Sequence, residues 1–82
     1  MEINKENIDN TIVDLKKGEI LKLEVPQNKV QYVRERIKRA GIYGIRMCFI
    51  KLYDNFYHLE KIEEGDGKRF LNRRRHDKKR VQ

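Results

Sequence analysis

The sequence predicts an α+β domain: a small antiparallel sheet of about three strands with two helices, in the order α-β-α-β-β, and a disordered basic C-terminal tail. Three observations predict it. Apolar residues alternate with period two over Glu19 to Val25, recur at helical spacing over residues 28–40, and fill two β-rich runs on either side of Asp54-Asn55. At 82 residues the chain supports one small core. The expected division is a compact domain over 1–64 and a flexible Arg/Lys-rich tail over 65–82.

The first element is a helix over residues 5–17. Ile8, Ile12 and Leu15 follow i, i+4, i+7, Asn4 stands where an N-cap belongs, and Lys16 and Lys17 suit a helix C-terminus. Gly18 then reads as the C′ residue. In the next segment Leu21, Leu23 and Val25 share one face and Lys22 and Glu24 the other, the pattern of a half-buried strand that Pro26 stops. Asn28 and Gln31 have the spacing of a capping box. Behind them Val30, Val33, Ile37 and Ala40 form the buried stripe of the clearest helix in the chain, which Gly41 ends. Ile45 to Tyr53 and Phe56 to Ile62 make a β-hairpin around Asp54-Asn55, both tolerant of positive φ. The first of these strands has apolar residues on both faces. It reads as a central strand covered twice or as a surface that self-associates.

The order helix-strand-helix-strand-strand resembles a winged helix-turn-helix domain lacking one helix. With that helix goes the turn that presents a recognition helix, so the resemblance implies no contact residues here.

Charge is distributed unevenly. The formal net charge is +7, and residues 1–67 contribute nothing to it, with 12 bases against 12 acids. Residues 68–82 hold eight bases against the single acid Asp77. Such a block repels itself and offers little to bury, so it is expected to be disordered when free, beyond a turn-forming, flexible junction at Glu64-Gly65-Asp66-Gly67. A second cationic stretch, residues 29–51, lies inside the body between acidic flanks.

Several function classes fall away. The chain has no serine, so serine-nucleophile chemistry is excluded. Cys48, its one cysteine, forms no internal disulfide and reads as a buried thiol in a reducing, cytoplasmic setting. No apolar run is long enough to span a membrane. His58 and Glu60 share a strand face at i, i+2, but no cluster has metal-ligand spacing, and neither cofactor nor metal is expected. The acids Glu60, Glu63, Glu64 and Asp66 resemble half of a divalent-cation nuclease site, which leaves a small toxin-like ribonuclease as the third reading.

The leading expectation is a non-catalytic nucleic-acid-binding accessory protein. Arg69, Arg73, Arg74, Arg75, Lys78, Lys79 and Arg80 are its candidate phosphate contacts in the tail, and Arg34, Arg36, Lys38 and Arg39 on the basic helix its folded ones. Arginine forks onto phosphates and stacks on bases as lysine does not. Phe70 and Tyr57 are the candidate stacking rings. DNA and RNA fit equally. The rival expectation is a protein–protein interaction module, a homodimer or a subunit of a larger assembly, whose basic tail docks on an acidic partner.

Overall fold

A computed structural model of the protein describes residues 7–72. Along them run α1 (Ile8–Asp14), β1 (Ile20–Glu24), a 3-10 turn (Gln27–Lys29), α2 (Val30–Gly41), β2 (Arg46–Tyr53) and β3 (Phe56–Glu63). A final helix, α3, covers residues 67–72. The predicted α+β architecture is the one observed. Because β1 lies between α1 and α2, they form no helix-turn-helix.

The helix predicted over 5–17 is shorter. Leu15 leaves it in an extended conformation, which lets its side chain turn into the core, and the β-branched run Thr11-Ile12-Val13 adds little propensity to hold another turn. Asn7 occupies the N-cap position without a side-chain bond, and Asn4 lies outside the described residues. Gly18 has φ +86°, but as the third residue of a Lys16–Glu19 turn rather than as a helix cap. The capping box predicted at Asn28 does not form. Pro26 accepts from the Lys29 nitrogen and opens a 3-10 turn that absorbs Asn28, so α2 starts behind Lys29 with no side-chain cap.

The three strands pair antiparallel in the order β1-β3-β2. The reading of residues 45–53 as a central strand is therefore corrected. β3 is the centre, pairing Leu59 with both Leu21 and Phe49, and β2 is an edge. The hairpin turns as expected, with Asp54 at φ +45°, and Asn55 O accepts from the Val25 nitrogen to tie the tip to the end of β1.

One face of the sheet meets the helices. Ile8, Ile12, Val33 and Ala40 pack there on Leu23, Ile45 and Leu59. Phe70 joins them at 2% exposure, which corrects the boundary placed at residue 65. Asp66 supplies the cap of α3: its carboxylate accepts from the Arg69 nitrogen at 3.1 Å, while Phe70 N donates to Asp66 O. The segment before it packs closely against the body. Gly65, at φ +61°, approaches Gly44 and Ile45 so closely that a Cβ would overlap their backbone, and a Cβ on Gly67 would strike Val13. Residues 73–82, the greater part of the expected disordered tail, lie outside the described residues.

Two charged groups are buried in this layer. Arg36 donates from Nε and Nη2 to the two carboxylate oxygens of Asp9, both at 2.9 Å, and joins α2 to α1. Lys61, on the core side of β3, sends its ammonium to Val13 O at 3.1 Å, one of the carbonyls at the α1 C-terminus. Burial pushes the Lys61 pKa below its ordinary value, and the nearby carboxylates of Glu64, Asp14 and Glu19 oppose that shift.

Candidate nucleic-acid interface

The basic helix divides into two flanks. Residues at i and i+4 share a face, so Arg34 and Lys38 stand one above the other on the solvent side. Arg34, Lys38 and Arg39 are exposed and make no ion pair among the described residues. The Arg34 guanidinium lies over the Phe49 ring, 5.3 Å from its centroid, and Phe49 in turn stacks on Tyr57 at 4.6 Å. A guanidinium held by its face keeps its edge N–H groups open to a phosphate. Lys38 and Arg39 also complement the negative end of the α2 dipole.

Arg36 does not belong with them. Two of its five N–H donors are committed to Asp9, its side chain is 18% exposed, and it covers the Phe70 ring at 5.3 Å. Desolvation and the bidentate pair remove it from the candidate phosphate contacts. Both candidate stacking rings are corrected as well. Phe70 is in the core and Tyr57 is 6% exposed beneath Phe49, so neither offers a face to a base.

Of the C-terminal cations, Arg69 is described. It is exposed, with its guanidinium 5.9 Å from the Tyr43 ring centroid, and no carboxylate claims it among the described residues. Because α3 packs against Tyr43 and Arg36, the chain leaves the described body beside the second half of α2. Arg73, Arg74, Arg75, Lys78, Lys79 and Arg80 lie beyond the described residues.

Sequence reasoning did not single out Lys51. It stands directly across from Tyr57 and two positions from Phe49, on the same face of β2 as the ring that holds Arg34. There it borders an open groove of about 730 Å³, with Gln27, Gln31, Asn55 and the carboxylate of Asp54 as further polar neighbours. The signal was present: once the hairpin turns at Asp54-Asn55, the register pairs Lys51 with Tyr57.

The acids proposed as half of a nuclease site are each engaged elsewhere, Glu63 and Glu64 both meeting Lys17, whose backbone nitrogen donates to Glu64. Glu60 meets the His58 ring nitrogen at 3.4 Å, Glu63 meets Lys17 at 3.8 Å, Glu64 meets Lys61 at 3.8 Å, and Asp66 caps α3. No group of three or more His, Cys, Asp or Glu side chains converges among the described residues. Nor is any helix there long and apolar enough to cross a membrane. The chain matches no protein-family model, no curated protein and no solved structure.

Proposed function

We propose that this chain is a non-catalytic nucleic-acid-binding accessory protein whose phosphate contacts come from α2 and the basic C-terminal run. Arg34, Lys38 and Arg39 form the folded part, with Lys51 on the face of β2 that carries Phe49. Arg69 stands at the joint, and the cations from Arg73 to Arg80 form the rest. One observation carries this reading. The fold matches its buried and junctional charges internally, as in Asp9–Arg36, Glu63–Lys17 and Glu64–Lys61. Yet among the described residues Arg34, Lys38, Arg39 and Arg69, on the side where the chain continues into its basic run, form no ion pair, and Glu35 is the one acid on α2. Cations left unpaired in this way displace condensed counterions from a phosphate backbone, a source of affinity that does not depend on sequence.

A salt titration tests it, using full-length protein against single- and double-stranded DNA and RNA. If about five cations contact duplex DNA, log K falls with log salt at a slope near −4.5. The comparison protein carries glutamine at Arg73, Arg74, Arg75, Lys78, Lys79 and Arg80. Cutting the chain at Gly67 would serve less well, because it removes Phe70 from the core. The glutamine variant is expected to show a flatter slope. Equal slopes for the two proteins refute the proposal. Equal affinity for heparin and every oligonucleotide favours the rival reading, in which the basic run docks on an acidic protein.

A further inference from the structure

Among the described residues the sheet is covered on one side only. An antiparallel sheet with a solvated face ordinarily turns polar residues outward. Here β2 presents Ile50 and Leu52 at 53% and 47% exposure, and Ile20, Tyr53 and Ile62 are open with them. With these lie Lys22, Glu24, Arg46, His58 and Glu60, charges that nearly cancel in a protein of net charge +7.

We infer that this open face is the interface of a homodimer in which two copies stack sheet on sheet. It goes beyond the nucleic-acid reading and does not rest on it. Two chains of net charge +7 repel, so they associate through a surface where little positive charge is concentrated. The open face has that property, and its two carboxylates disfavour a nucleic acid as the occupant.

The face is also complementary to itself. Lys22 lies over the rings of Tyr53 and Phe56 and donates to the Tyr53 hydroxyl, but meets no carboxylate among the described residues. Glu24, two positions along β1 on the same side, makes no ion pair among the described residues. A two-fold axis crossing the strands, midway between the Lys22–His58–Ile50 row and the Glu24–Phe56 row, brings Lys22 of each copy to Glu24 of the other. The same operation sets Ile50 against Tyr53, which extends the second row beyond the bulge in β2, with Leu52 in the bulge beside it. Sheets stacked in this way interdigitate about 10 Å apart. Both helix layers then face outward, and the basic flank of α2 remains accessible in each copy.

Sedimentation of the full-length protein, from micromolar to submillimolar concentration, tests the inference. The mass is expected to rise from monomer to dimer. Ile50→Asp, at an exposed position where the monomer fold has little to lose, is expected to weaken association by roughly thirtyfold or more. Lys22→Glu and Glu24→Lys should each weaken it by about tenfold, and the double exchange should recover most of the loss. Cys48 lies on the same face, so its thiol should react more slowly with a maleimide as concentration rises. A protein that stays monomeric at submillimolar concentration overturns the inference. So does a dimer indifferent to Ile50→Asp, or a double exchange no better than its parents.

Discussion

Arg34 and Arg36 lie two positions apart on α2, yet the two flanks of that helix serve different ends. On the inner flank Arg36 finds a carboxylate delivered by α1 and an aromatic ring delivered by α3, and becomes part of the interior. On the outer flank Arg34 finds a ring but no acid, and Lys38 above it finds neither among the described residues. Residue type therefore does not separate structural cations from available ones. What separates them is whether another element brings a carboxylate to that side of the helix.

That contrast can be broken first at its inner side. Arg36→Ala withdraws the bidentate counter-ion from Asp9, which is 4% exposed, and should cost about 3 kcal/mol, read from denaturant unfolding. A loss below about 0.5 kcal/mol would place Arg36 with the exposed cations. Lys61 comes next. Lys61→Met keeps the apolar stem but removes the donor to Val13 O, and should cost about 2 kcal/mol at neutral pH.

The pH dependence of Lys61 has a definite sign. Its folded pKa lies below 10.5, so as pH rises through the folded value the native state loses this proton before the unfolded chain does. Over that window the unfolded chain binds more protons, and native stability rises with pH. The stability difference between wild type and Lys61→Met should therefore widen from neutral pH towards 10.5. A difference that stays flat or narrows would contradict the burial of the ammonium.

Smaller effects sharpen the comparison. Asp66→Ala removes the cap of α3 and should cost about 1 kcal/mol in thermal unfolding. On the outer flank, Arg34→Gln combined with Lys38→Gln should change stability by less than about 0.5 kcal/mol. The same pair should flatten the salt dependence of duplex binding by up to about 1.8 in log–log slope. A stability loss comparable to that of Arg36→Ala would erase the distinction between the flanks.

Most of the fold was legible because most of it is periodic. The alternation from Glu19 to Val25, the stripe Val30, Val33, Ile37 and Ala40, and the Asp54-Asn55 turn each determine an element from its own residues. The rest depended on meetings between distant residues. Arg36 and Asp9 are 27 positions apart, and local spacing does not reveal that α1 crosses the side of α2 carrying Arg36. Lys61 breaks the apolar face of β3, a departure that makes sense only once the end of α1 is placed above it. The α3 segment was hidden by composition. Gly65-Asp66-Gly67 reads as punctuation and the following bases as tail, although an Asp cap followed by Phe70-Leu71 is also a helix start with two apolar residues to bury.

The seating of Phe70 has a consequence for how the basic run acts. A segment anchored in the core at its first turn does not search for a ligand from bulk solution. Arg80 lies eight residues beyond Asn72, and fully extended that stretch spans at most about 29 Å. If, as proposed, the α2 flank holds a phosphate backbone, the remaining cations meet it on that short leash, at an effective concentration of the order of millimolar. Lengthening the leash with neutral residues should dilute this advantage while leaving every charge in place.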